Sequence, residues 1–283
     1  MSIALPDFRF IAGLVRQRSA IDLQPGKEYL VEARLVPLLH PHGEPTLAAL
    51  INRLRRGDRE LSDAVIEALT TNETLWFRDS APFEAFRKHL LPAVARTSTS
   101  RTITIWSAAC SSGQEAYSLA MLLLDWLPHN PQYDARIIGT DVSHEMIERA
   151  RAATYSQLEV NRGMRAPYLA KHFQKTGRTW TLSPEVRNLT TFTWANLADP
   201  PTTIPVCDII FLRNVLIYFD PETKRRVIGY ARSVLRPGGF LLLGGAESTP
   251  SLGAQFTRLD LERTVVFQHT DQQAAKSVSE GGS

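Results

Sequence analysis

Apolar spacing divides the chain into two regimes. Between residues 7 and about 69 apolar positions recur at helical intervals: Phe8, Ile11 and Val15, then Leu47, Leu50, Ile51 and Leu54, then Leu61, Val65 and Leu69. The turn-forming stretch HPHGEP at 40–45 separates two of these patterns, so a small all-helical domain is predicted. From residue 103 the period changes and alternates. Short apolar runs at 103–106 (ITIW), 135–141 (ARIIGTD), 207–214 (CDIIFLRN) and 238–245 (GGFLLLGG) read as strands. Between them lie helical patterns ending near Trp126, starting at Ser143, and running from Pro221 to Leu235. This alternation predicts an α/β fold whose mostly parallel sheet is joined by right-handed crossovers. The closely spaced runs FTRLD and TVVFQH predict an antiparallel hairpin at the sheet edge.

One segment breaks the alternation. Between Tyr155 and Ala195 lie a short helical pattern and two strand-like runs, RTWTL and LTTFTWA, separated by SPE. They predict a small inserted β-subdomain, about 155–195, with its own hairpin. The polar stretch ARTSTSR at 95–101 reads as the junction into the sheet. The expected organisation is a helical domain over 1–70, an α/β domain over 71–270 and a disordered tail over 271–283, where almost nothing can be buried.

Composition narrows the class. With 283 residues, 43% hydrophobic and 22% charged, the chain can bury a sizeable core. A net charge of +3 is too small to imply nucleic-acid binding, and Arg53, Arg55, Arg56, Arg59 and Lys224, Arg225, Arg226 read as solvated helix faces. Cys110 and Cys207 form no C-x-x-C pair and no disulfide framework, which fits a reducing cytoplasm. No apolar run reaches the roughly 18 residues of a spanning helix, and MSIALPDFRF does not read as a signal peptide, so no membrane insertion is expected. The seven histidines form neither H-E-x-x-H nor a Cys/His cluster, and no metal is expected.

Candidate chemistry begins where the first sheet strand ends. Ala108 to Gly113 are small residues that let backbone and ligand approach closely, at the carboxyl end of a strand where open α/β sheets bind ligands. A single glycine replaces G-x-G-x-x-G, which argues against a pyrophosphate cofactor such as NAD. Glu115 is either a first-turn acid favoured by the helix dipole or the partner of a cationic ligand group. Asp141 ends the next strand, placed either to accept hydrogen bonds from two ribose hydroxyls or to cap the following helix, with Ser143 as competitor for the cap. Two further segments, TTNETLWFR at 70–78 and LRNVLIYFDP at 212–221, carry Asn72, Thr74, Arg78, Arg213, Asn214 and Tyr218. Arg and Asn at a strand's carboxyl end suit a ligand better than a core.

Taken in order, TNETLWFRD, WSAACSSGQEAYSLA, IIGTDVSHEMIERA and DIIFLRNVLIYFD resemble the CheR family of chemotaxis receptor methyltransferases, over most of the chain. The resemblance implies a Rossmann-like S-adenosylmethionine-dependent methyltransferase fold and esterification of glutamate side chains on the cytoplasmic domain of bacterial chemoreceptors. It implies that Asn72, Thr74 and Arg78 reach the methionine end of the cofactor, that Ala108 belongs to its turn, and that Glu115 meets its amino acid part. Asp141 would hold the ribose, Asn196 and Leu197 of the WANL segment the adenine, and Arg213 and Asn214 would line the cleft. Tyr218 would approach the methyl group beside Arg78, giving two catalytic residues. The sequence departs from the family's common G-E-E-P-Y-S turn, reading Gly113, Gln114, Glu115, Ala116, Tyr117, Ser118, with the acid retained. Some relatives grip a receptor pentapeptide with a long glycine-containing loop in the inserted subdomain. Here that link is only QKTGRT, so pentapeptide-independent docking by a monomer is expected. On KEYLVEARLVPLL, Arg34 sits where relatives keep a basic residue, whereas Pro37 interrupts a position often basic in them. Two alternatives remain open: methylation of another substrate, and a non-catalytic module that binds the cofactor or its product S-adenosylhomocysteine.

Overall fold

The computed structural model describes residues 3–98, 100–199, 204–247 and 250–270. Four helices open the chain: α1 (Leu5–Ser19), α2 (Glu28–Leu35), α3 (Leu47–Arg55) and α4 (Arg59–Leu69). Their apolar stripes close on one another, so Phe8, Ile11 and Val15 share a core with Leu50, Ile51, Leu61 and Val65. Side-chain caps fix two of the starts: Thr46 Oγ1 accepts from Ala49 N–H at 3.2 Å, and Asp58 Oδ1 from Leu61 N–H at 2.9 Å. α2 stops at Leu35 and Pro37 falls within a single tighter turn, Val36–Leu38, since its ring cannot continue an α-helix. Arg34 is spent on structure. Its guanidinium donates to Thr70 O at 2.9 Å and Thr71 Oγ1 at 3.0 Å, at the carboxyl end of α4.

A connector leads to α5 (Ala81–Ala85), which widens through Phe86–Leu90 into α6 (Leu91–Thr97). The alternating part follows: β1 (Thr102–Ala108), α7 (Gln114–Trp126), β2 (Asp134–Asp141) and α8 (His144–Ala152). Next come β3 (Thr154–Ser156), α9 (Gln157–Asn161), α10 (Ala166–His172), β4 (Phe173–Thr176), β5 (Thr179–Leu182) and α11 (Pro184–Asn188). The chain finishes with β6 (Thr190–Trp194), β7 (Cys207–Leu212), α12 (Pro221–Ser233), β8 (Leu235–Leu243), β9 (Phe256–Leu261) and β10 (Thr264–His269).

The main sheet runs β6-β2-β1-β7-β8-β10-β9. β6, β2, β1, β7 and β8 are parallel, while β10 is antiparallel to both β8 and β9, giving the expected terminal hairpin. Chain order runs outward from β1 to β2 and β6 on one side and through β7 to β8 on the other. This is a Rossmann-like, doubly wound sheet, and the order reverses beside β1, which opens a crevice at the strands' carboxyl ends. β7 is buried along its whole length, as parallel strands covered on both faces must be. Alternate residues feed separate cores: Ile105, Ile209 and Phe211 meet α7, while Trp106, Ile210 and Leu212 meet α12.

The inserted segment differs from its sequence reading. RTWTL forms β5, but its hairpin partner is β4, and β3 completes a three-stranded sheet. LTTFTWA forms β6, which leaves the insertion and pairs with β2 in the main sheet. The SPE expected as a turn instead starts α11, with Ser183 as N-cap and Pro184 in the first turn. Packing decides the destination of β6: a Cβ on Gly139 of β2 would lie 2.5 Å from the Phe192 ring, so the bare glycine backbone admits that ring, which also meets Tyr117 edge-on at 5.2 Å. The tail expected over 271–283 lies outside the described residues.

Candidate active site

The site is built on the turn after β1. Ala109 and Ser111 take left-handed conformations, φ 59° and 49°, as does Gly113 at 92°. Only glycine adopts that geometry without strain, and strained non-glycine residues at a strand end are a recurring feature of ligand sites. The turn is held from both sides: Cys110 N–H donates to Thr140 O at 2.9 Å, and Ser111 N–H donates to Asp141 Oδ2 at 2.8 Å. Ser111 Oγ donates to Asn72 O at 2.8 Å, which draws the TTNETLWFR segment against the turn. That segment is fixed further along, where Phe77 N–H donates to Ser118 Oγ at 3.1 Å and Trp76 N–H to Arg162 O at 3.1 Å.

Asp141 does not cap α8, the cap going to its competitor Ser143. The other Asp141 oxygen accepts Ser143 N–H at 2.9 Å, while Ser143 itself caps α8 through Met146 N–H at 3.0 Å. The carboxyl group is buried, and burial pushes its pKa up to about 6 despite those two donors. The negative charge of Glu67 on α4, which accepts from Ser143 Oγ and from Glu145 N–H, pushes in the same direction.

Glu115 is not a lone acid awaiting a cation. Ser107 Oγ donates to its Oε1 at 2.8 Å, and Arg213 Nη1 to its Oε2 at 2.9 Å. The Arg213 side chain is 1% exposed and continues to Asp79 Oδ2 at 2.7 Å and Arg78 O at 3.0 Å, so one guanidinium ties β7, α7 and the TTNETLWFR segment together. Arg213 Nε is buried without a hydrogen-bond partner. Arg78 Nη1 donates to Glu73 O at 2.9 Å, which directs the side chain along the same segment.

These residues surround a cavity open to solvent. Asn72, Thr74, Arg78, Glu115, Asp141, Asn196, Leu197, Arg213, Asn214 and Tyr218 all line it, so five segments distant in sequence converge. Ala108 is buried within β1, and Ala109 stands on the wall instead. The wall also takes Ser19 and Ile21 from the end of α1. Nothing local in sequence marks them, since they reach the cavity only because Asn196 Nδ2 donates to Arg18 O at 3.0 Å and Asp22 N–H to Tyr218 O at 2.8 Å.

Comparison with known proteins decides what kind of cavity this is. Residues 72–265 match the model of the CheR methyltransferase SAM-binding domain, and residues 6–70 that of the CheR methyltransferase all-alpha domain. The chain belongs to the CheR methyltransferase family. It is 35% identical over 272 residues to chemotaxis protein methyltransferase 1 of Pseudomonas aeruginosa, covering 95% of this chain and 99% of the relative. It is 38% identical to the chemotaxis protein methyltransferase of Vibrio parahaemolyticus, covering 95% of this chain and 98% of that one.

S-adenosylmethionine is therefore the cofactor, and the CheR cavity fits it. Each carboxylate oxygen has two acceptor sites, so Asp141 and Glu115 keep acceptors beyond the bonds they already make. Leu197 and Val142 supply apolar wall. No group of His, Cys, Asp and Glu suited to a metal occurs among the described residues, and none of them forms a helix long and apolar enough to cross a membrane.

Proposed function

We propose that this CheR-family methyltransferase esterifies glutamate side chains on the cytoplasmic helices of bacterial chemoreceptors. The observation that carries the reading is the convergence of Arg78 and Tyr218 with Glu115 and Asp141 on one cavity, in a chain whose relatives are chemotaxis methyltransferases. When bound, S-adenosylmethionine supplies an electrophilic methyl group on a sulfonium. A glutamate is ionised at neutral pH, so no residue need remove a proton from it. The protein's work is positioning. Arg78 holds a carboxylate at the reaction centre, Tyr218 orients the attacking oxygen, and alignment of this kind supplies roughly 7–11 kcal/mol. Asp141 holds the ribose hydroxyls, Asn196 and Leu197 face the adenine, and Asn72, Thr74 and the Glu115–Arg213 pair bind the amino acid end.

The proposed division is a helical domain over 1–70 and a catalytic domain over 71–270 carrying the inserted sheet. Docking is proposed to be pentapeptide-independent and by a monomer. The β4–β5 link supports this, because only Gly177 and Arg178 separate Thr176 from Thr179, a two-residue turn with Gly177 at φ 59°. The enzyme would work in the cytoplasm, visiting receptor arrays at the membrane, without a nucleic-acid partner. The test is labelled methyl transfer from S-adenosylmethionine to receptor-bearing membranes of the source organism. Base-labile label that releases methanol, mapped to receptor glutamates, is the expected result. Alkali-stable methyl groups, or turnover of a small molecule without receptor, would replace the reading with a methyltransferase of another substrate. Tight cofactor binding with no transfer to any receptor would favour a non-catalytic module.

A further inference from the structure

Glu247 follows the last parallel strand, and its carboxylate faces a convergence of backbone donors. Oε1 accepts Val215 N–H at 2.8 Å and Leu216 N–H at 2.7 Å, while Oε2 accepts Asn214 N–H at 2.9 Å and Gly244 N–H at 2.7 Å. The residue is 9% exposed. Three of those donors are consecutive in the loop after β7, where Asn214 is left-handed at φ 59° and the chain cannot pair its N–H groups in a sheet or helix. Successive N–H groups pointing to one spot form an anion-binding concavity, and the chain fills it with its own carboxylate. Contact with the end of β8 is close: a Cβ on Gly244 would lie 2.8 Å from both Asn214 Nδ2 and Glu247 Oε2, and 2.9 Å from Asn214 N.

The loop so held carries Arg213, Asn214, Val215 and Tyr218 to the cavity, whereas Glu115 and Asp141 stand on α7 and β2. We infer that Glu247 is a positioning residue for methyl transfer, setting the backbone of 214–216 and through it the placement of Asn214 and Tyr218. The inference rests on the proposed role of Tyr218. Glu247 itself touches backbone and acts only through the loop.

Glu247→Gln keeps the length but turns one acceptor into a donor aimed at N–H groups, so the loop must shift. Misplacement by about 1 Å can cost on the order of 100-fold in rate. Two quantities separate positioning from general damage: the single-turnover rate of methyl transfer to receptor membranes, and the S-adenosylhomocysteine affinity by calorimetry. The rate is expected to fall roughly 10- to 100-fold while affinity changes less than about threefold. Tyr218→Phe should then cost far less in the Glu247→Gln background than in the wild type, because the loop has already lost its alignment. An unchanged rate in Glu247→Gln, parallel losses of rate and affinity, or additive losses in the double variant would each overturn the inference. Should Glu247→Gln not fold, Gly244→Ala keeps the carboxylate but pushes on both it and the loop it holds, and absence of the same rate-over-affinity split overturns the inference equally. If Tyr218→Phe alone loses rate and Glu247→Gln does not, this inference fails by itself. If Tyr218→Phe transfers at the wild-type rate, the role proposed for Tyr218 fails and takes this one with it.

Discussion

In its proposed role as the ribose acceptor, Asp141 should link cofactor affinity to pH. Burial raises its folded pKa from 3.8 to about 6, so between those values the folded state binds more protons than the unfolded chain. Stability contributed by the protonated form is fully present below about pH 4 and is lost as pH rises to about 6, at a total cost of about 3 kcal/mol. The proposed ribose contact imposes the opposite preference, because two hydroxyls need an acceptor-only carboxylate. With a pKa near 6, only about one molecule in eleven has Asp141 ionised at about pH 5, so the apparent S-adenosylhomocysteine affinity should be roughly tenfold weaker there than at about pH 7.5. Asp141→Asn removes both effects. Its neutral amide relieves the buried charge but turns a donor toward Ser111 or Ser143 N–H, a loss of about 1.5–3 kcal/mol that nearly offsets the gain. Stability at neutral pH should thus change little, affinity should fall, and the pH dependence of binding should flatten. Calorimetric titration of both proteins from about pH 5 to 7.5, with urea unfolding alongside, reads all three. A wild-type affinity that stays flat across that range would refute the reasoning.

Other consequences are testable separately. Arg213→Met should destabilise by about 1.5–3 kcal/mol in urea unfolding, since Glu115, its side chain 13% exposed, loses its charge-assisted partner, and a loss under about 1 kcal/mol would show the pair to be expendable. Gly163→Ala should cost at least about 2 kcal/mol and weaken cofactor binding, because Gly163 sits at φ +100° and an added Cβ would lie 2.1 Å from Trp76 O, pushing on the segment that carries Asn72 and Thr74. Arg78→Ala should reduce methyl transfer far more than S-adenosylhomocysteine affinity, whereas equal rates for variant and wild type would remove Arg78 from the mechanism. Arg34→Ala should lower stability by about 1 kcal/mol through loss of the bonds to Thr70 and Thr71, with receptor methylation per folded molecule unchanged.

What the sequence by itself determined was local: the helical stripes of the first 69 residues, the alternation of strands and helices from Ile103, and the identity of the chemical residues at strand ends. These are legible because helix and strand periods are set within a few residues, and a polar side chain ending an apolar strand announces its own misfit to a core. Four such ends do meet at one cavity. Pairing was not legible. RTWTL and LTTFTWA have similar alternation, and only contact with Gly139 and Tyr117 sends the second into the main sheet while the first folds back on β4. Glu115 and Arg213 stand 98 residues apart, and neither strand pattern nor turn chemistry says that their charges will be paired. The same holds for Glu247, whose partners at 214–216 lie about thirty residues away, and for Ser19 and Ile21 on the cavity wall: a side chain's partners are chosen when strand ends and helix ends are brought together by the whole packed sheet. Tertiary structure alone therefore decided which acids are balanced, which is buried enough to titrate near pH 6, and which carboxylate holds the loop.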